Sequence, residues 1–133
     1  RAVTIFVEGC CDAIVLQLEE LASLLTPKVV RATSEQRKSL HIAAVFACNF
    51  TNAAYCMAAS LLEANGLSFD SMLPLIDEAA RKVHLMSPLD AQTGPAKRED
   101  HNVMESHKAM LDDDLREIYS AMSNYIMKRM KNL

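Results

Sequence analysis

The sequence predicts a mainly α-helical chain preceded by a short βαβ unit. Three observations carry that expectation. Ala, Leu and Met supply most of the apolar residues, and they are good helix formers. Only three Gly and four Pro occur in 133 residues, too few for the many tight turns of an all-β fold. From Ser34 onward the apolar residues recur at helical spacing.

The first segment, Val3 to Val7 (VTIFV), is β-branched and aromatic and reads as a buried strand, ended by Glu8-Gly9. Asp12 to Leu25 follows as an amphipathic helix, with Leu16, Leu18, Leu21, Ala22 and Leu25 as its apolar face. Asp12 suits its first turn and Pro27 stops it. Lys28 to Arg31 (KVVR) reads as a second strand. Strand, helix and strand with short links make a βαβ unit, so the two strands should be parallel. Two parallel strands do not make a stable sheet alone, because parallel sheets need both faces covered. The expectation is therefore a truncated sheet whose other strands lie upstream. The alternative is that two copies pair their edges in a dimer.

Ser34 is the expected N-cap of a long helix ending at Ala64, stopped by Asn65-Gly66. Ser68 or Asp70 caps the next helix, which tolerates Pro74 in its first turn. Ser87-Pro88 ends it. Leu89 to Asp100 is a polar loop. His101 to Met110 is a further helix, and Asp112 to Lys131 is the last, with Leu115, Ile118, Tyr119, Met122, Tyr125, Ile126 and Met130 on its apolar face.

Composition excludes several classes. The net charge is −3, and no basic patch with interleaved aromatics appears, so no nucleic-acid partner is expected. Lys128 to Lys131 complements the dipole of the last helix. Cys10, Cys11, Cys48 and Cys56 form no CxxC pair and read as free, buried thiols of a cytoplasmic protein. Ile42 to Leu62 is long enough to span a bilayer. It carries Asn49, Thr51, Asn52 and Ser60, however, and reads as a helix buried on most sides, with no membrane partner. The Asp112-Asp113-Asp114 run lacks the alternating ligands of a calcium loop and reads as first-turn acids, so no metal is expected.

The long helix carries one polar constellation. His41, Val45, Cys48, Asn49, Asn52 and Cys56 fall on one stripe at three- and four-residue steps. A His and two Asn are costly to bury without partners. Either they satisfy one another and nearby backbone, or they face a ligand. His is the natural acid or base near neutral pH, and Asn offers both donor and acceptor. The loop Gln92 to Asp100 is the second constellation. Gly94 supplies a positive φ or a close backbone approach, and Arg98 pairs with Asp100 or with an anionic ligand. The competing reading is a plain interhelical loop. His107 on the next helix is by itself an ordinary structural His. Glu78, Arg81, Lys82 and His84 read as a solvated face. No GxGxxG, Walker, GxSxG or HExxH motif is present.

Two stretches are more specific. QRKSLHIAAVFACNFTN (Gln36 to Asn52) and AQTGPAKREDHNVMESH (Ala91 to His107) resemble the helical C-terminal domain of unknown function of Rossmann-like proteins termed deazaflavin-dependent NADP oxidoreductase-like. That domain is similar in fold to the C-terminal helical bundles of 6-phosphogluconate dehydrogenase and pyrroline-5-carboxylate reductase. The resemblance implies that residues 1–33 are the last βαβ piece of a truncated Rossmann-like domain and residues 34–133 a helical dimerisation and substrate domain. The family pattern falls here on His41, Asn49, Thr93, Gly94, Pro95, Arg98, Asp100 and His107. Glu99 departs from it, standing where a small residue, often Gly, is expected. The resemblance implies a homodimer acting on a small-molecule carbonyl or imine. NADP or NAD would be bound mainly by the upstream domain, and this fragment alone would be inactive. His41 or His107 would be the catalytic proton donor. Asn49, Asn52, Gln92, Thr93, Gly94, Pro95, Arg98 and Asp100 would line the substrate cleft. The alternative is a non-catalytic helical dimerisation or ligand-binding module.

Overall fold

The computed structural model describes residues 3–131. They form two compact units, divided between Cys56 and Met57.

In the first unit, β1 (Ile5–Val7) and β2 (Val29–Arg31) are parallel, with Ile5 opposite Val29, Phe6 opposite Val30 and Val7 opposite Arg31. Both strands are shorter than expected, although Ile5 N–H still donates to the Lys28 carbonyl at 2.9 Å. Helix α1 (Asp12–Ser23) covers one face of the pair. Val7, Val15 and Ala22 are buried there, with Ile5, Leu18 and Val29 packed around them. The inward stripe of α1 is therefore Val15, Leu18 and Ala22. Leu16, Leu21 and Leu25, expected on it, are exposed, because the sheet can touch only one narrow face of the helix. Side chains alternate along a strand, so Phe6 and Val30 share the other sheet face, where both are exposed.

Helix α2 (Ser34–Ala44) is capped by Thr33, not by Ser34. Thr33 has extended backbone, and its hydroxyl accepts from Gln36 N–H at 3.2 Å. The Gln36 side chain accepts from Thr33 N–H at 2.8 Å. This reciprocal capping box satisfies two donors that the helix itself cannot. Ser34, one position on, donates its N–H and hydroxyl to the two Glu8 oxygens at 2.8 and 2.9 Å. Arg37 pairs with the same carboxylate. Hydrogen bonds from Ser34 come first in holding the Glu8 pKa below the usual carboxylate range, with Arg37 adding to them.

The long helix runs from Ser34 to Glu63, but it is not uniformly α. Val45–Phe50 is a π-helical turn between α2 and α3 (Thr51–Glu63). The Thr51 hydroxyl donates to the Phe46 carbonyl five residues back at 3.2 Å, serving a backbone group that the wider turn loosens. By length and composition this helix could cross a membrane, yet its most apolar window has no residue buried within the chain. The expectation of a helix buried on most sides is thus not met within the single chain. Ile42, Phe46 and Phe50 are 59%, 65% and 54% exposed. The Phe46 and Phe50 rings meet edge to face at 5.1 Å.

In the second unit α3 stops at Asn65-Gly66 as the sequence predicts. Gly66 has φ +69, Gly66 N–H donates to the Glu63 carbonyl and Leu67 N–H to the Leu62 carbonyl. This is the Schellman pattern, whose left-handed residue favours Gly. A short 3-10 turn (Phe69–Met72), capped by the Ser68 hydroxyl, leads into α4 (Leu73–Leu85). A loop reaches α5 (His101–Lys108), and α6 (Asp113–Lys131) ends the described chain. Asp112 Oδ1 accepts from Leu115 N–H at 2.8 Å, so the first of the three aspartates caps α6. Met104 on α5 and Ser123 on α6 are buried, as is Ala96 in the loop.

Candidate functional site

The polar stripe on the long helix is interrupted by the π turn. One extra residue in a turn rotates everything beyond it by roughly 100° relative to an α-helix. His41 therefore does not share one straight stripe with Asn52 and Cys56. His41, Asn49 and Asn52 are all exposed, so the burial cost that made them conspicuous is not incurred within this chain. Asn52 makes a weak contact to Cys56 Sγ at 4.0 Å. Among the described residues no hydrogen bond involves the His41 or Asn49 side chain. Both are open to a ligand or to another chain.

The cysteines also differ from expectation: all four are free but exposed. Cys11 stands at the N-cap of α1. Its thiol pKa is lowered first by the Ile14 backbone N–H, with smaller help from Cys10 and Ala13.

The second constellation, Gln92 to Asp100, lies wholly in the second unit. Gly94 has φ +102, and a Cβ built on it meets nothing within 4 Å. Its glycine therefore serves the backbone angle, not a close approach. The Pro95 carbonyl accepts from the N–H groups of Arg98 and Asp100 at 3.1 and 3.0 Å, which closes a tight turn around buried Ala96. Glu99 occupies the left-handed region at φ +53. That explains why glycine is the residue expected at this position. The Glu99 carboxylate reaches Lys131 at 2.9 Å, and this contact is the first cause of its lowered pKa.

Asp100 is the N-cap of α5, accepting from Val103 N–H at 3.2 Å. It is not paired with Arg98. Arg98 is exposed and takes part in no ion pair among the described residues. The Gln92 amide donates to the neighbouring Thr93 carbonyl at 2.8 Å. Gln92 and Thr93 also line an open depression of about 530 Å³ with Leu75, Glu78, Lys82 and Pro88. Gln92 borders a second one of about 430 Å³, with Tyr125, Ile126, Arg129 and Met130 on its far wall. Arg129 and Tyr125 were not singled out as site residues in the sequence. They sit one turn apart on the last helix, which read only as core and dipole complement.

His107 is not an isolated His. Its Nδ1 lies 3.0 Å from the Tyr119 hydroxyl, and the two rings meet edge to face at 5.9 Å. By its spacing Tyr119 is an ordinary apolar position of α6. The charged patch on α4 behaves as expected. Arg81 clasps Glu78 at 2.7 and 2.9 Å, which lowers the glutamate pKa and raises that of the arginine. Among the described residues no group of three or more His, Cys, Asp or Glu is placed to hold a metal ion.

Gly9 stands between β1 and α1, and a Cβ there would meet Ile14 Cγ2 at 3.0 Å and the Val15 backbone N at 3.1 Å. That space is filled by the first turn of α1, so Gly9 lets the helix pack closely on the strand end.

No curated protein matches the chain. Solved structures do. A protein of Bacteroides fragilis described as "putative NADP oxidoreductase BF3122" is 50% identical, with a TM-score of 0.87 over 94% of this chain and 49% of its own. Protein TM1727 from Thermotoga maritima is 22% identical, with a TM-score of 0.77 over 91% of this chain and 51% of its own, a likeness of fold. The chain thus spans about half the length of both. The sequence pattern of the family described as "Domain of unknown function (DUF2520)" matches residues 3–126, and the chain belongs to that family.

Proposed function

We propose that this chain is the C-terminal substrate-binding and dimerisation part of an NAD(P)-dependent oxidoreductase that reduces a small carbonyl or imine in the cytoplasm. The observation that carries the reading is the 50% identity, across nearly the whole chain, to a protein described as a "putative NADP oxidoreductase" about twice as long. Residues 1–33 are then the end of a Rossmann-like sheet. Residues 34–133 are a helical bundle of the kind found at the C-termini of 6-phosphogluconate dehydrogenase and pyrroline-5-carboxylate reductase. The dinucleotide, which would supply the hydride, is then held mainly by the preceding half of the protein.

This chain supplies the groups that meet the substrate. Asn49 and Asn52 offer amide donors and acceptors to a carbonyl, and Arg98 offers an unpaired guanidinium to an anionic group. Gln92, Thr93, Gly94 and Pro95 shape the loop, and Asp100 anchors it to α5. His41 or His107 donates the proton to the substrate oxygen or nitrogen. The exposed apolar residues Ile42, Phe46 and Phe50, beside the small residues Ala43, Ala44 and Ala47, form the face that a second copy covers. Four unbridged thiols suit a reducing compartment.

The test is a fluorescence titration of NADPH and NADH on the intact protein that carries this chain, followed by single-turnover reduction with a panel of small ketones and imines. Nucleotide binding with turnover that falls in Asn49→Ala and His107→Gln variants supports the reading. No nucleotide binding by the intact protein overturns it.

A further inference from the structure

We infer that Tyr119 is a positioning residue for His107, pinning Nδ1 of the imidazole so that Nε2 alone exchanges a proton with a ligand. The inference rests on the reading of His107 as proton donor. Three observations lead to it. The hydroxyl of Tyr119 is 3.0 Å from Nδ1, an ordinary hydrogen-bond length. The rings also meet edge to face, so ring orientation is fixed twice, by packing and by the hydrogen bond. Tyr119 is half-buried on α6 whereas His107 is exposed on α5, so the partner is anchored and the imidazole is presented.

The choice of a phenol has a chemical consequence. The phenol oxygen accepts from Nδ1–H of the imidazolium and, equally, from Nδ1–H of the neutral ring left when Nε2 gives up its proton. Both protonation states keep the same contact, and the ring need not move between them. When the imidazolium acts as acid, the Nε2–H bond breaks and an O–H or N–H bond forms on the substrate. The electron pair of the broken bond stays on Nε2, and Nδ1–H remains donated to the phenol oxygen. No charge is left on Tyr119. A carboxylate in its place would accept the same bond, but its charge would hold the imidazolium as an ion pair.

The experiment compares Tyr119→Phe with the parent in the intact protein. Phe keeps the edge-to-face contact and removes only the hydroxyl. With selectively 15N-labelled histidine, assigned by the His107→Gln variant, the Nδ1 resonance of His107 should move towards that of a ring with a free nitrogen. In single-turnover reduction the rate should fall about tenfold, the worth of one ordinary hydrogen bond, with nucleotide affinity and KM unchanged. His107→Gln should lose more, about a hundredfold or beyond, as expected for removal of a general acid. An unchanged Nδ1 resonance in Tyr119→Phe overturns the positioning role, whatever the activity. A shifted resonance with full activity in His107→Gln leaves the pinned ring in place but refutes His107 as the acid, so the two failures are distinct.

Discussion

The carboxylate of Glu99 lies 2.9 Å from the ammonium of Lys131, which ties a left-handed backbone position in the loop to the last turn of α6. The ion pair lowers the Glu99 pKa. A carboxyl whose folded pKa is depressed contributes stability above its unfolded value and loses it as pH falls through the folded value. Both members are exposed, so salt screens the contribution. Lys131→Ala should therefore lower thermal stability slightly at neutral pH, the difference from the parent should vanish as acid protonates Glu99, and it should fade at high salt. Glu99→Gly, which relieves the backbone angle while losing the ion pair, should melt above Glu99→Ala, which loses the pair and keeps the strain.

Gly94 isolates the backbone term. Nothing stands near its missing Cβ, yet φ is +102. Gly94→Ala should cost about 1–2 kcal/mol in urea unfolding from backbone strain alone. A neutral result would show that the loop adopts another conformation.

The capping box of α2 offers a cleaner stability test. Thr33→Ala removes the acceptor for Gln36 N–H and unbalances the reciprocal bond. The loss should be about 1 kcal/mol. Ser34→Ala should leave this box intact, and it separates the two residues that the sequence alone confuses.

The exposed face of the long helix predicts self-association. Ile42→Glu or Phe46→Glu places a charge where a large apolar side chain now meets solvent. If the face joins two copies, sedimentation of the intact protein should show the dimer weakened by at least about thirtyfold, as for loss of a central apolar anchor. The substituted monomer should stay folded, because neither residue is buried in its own chain. A dimer of unchanged strength would remove this face from the interface.

Much of the fold was legible in local chemistry. Asn65-Gly66 stops a helix because a left-handed residue closes the Schellman bonds, and that requirement is written in two adjacent letters. The βαβ order and the helical periodicity after Ser34 depend on neighbours in sequence, and they appear as expected. The Gly expected at position 99 is explained by φ +53, although Glu stands there. What local pattern could not supply was set by packing. The π turn at Val45–Phe50 is invisible to a period of 3.6, and it breaks a stripe that the period alone made straight. Thr33 displaced Ser34 as cap because the Glu8 carboxylate, twenty-six residues away, claims the Ser34 donors. His107 and Tyr119 are twelve residues apart on different helices, and only the packing of α5 on α6 turns an ordinary core tyrosine into the partner of an exposed imidazole. Sequence by itself determined which residues can cap, stop or line a helix, because those choices cost energy within a turn. Tertiary structure decided which face is covered and which side chains meet, because those choices depend on surfaces far apart along the chain.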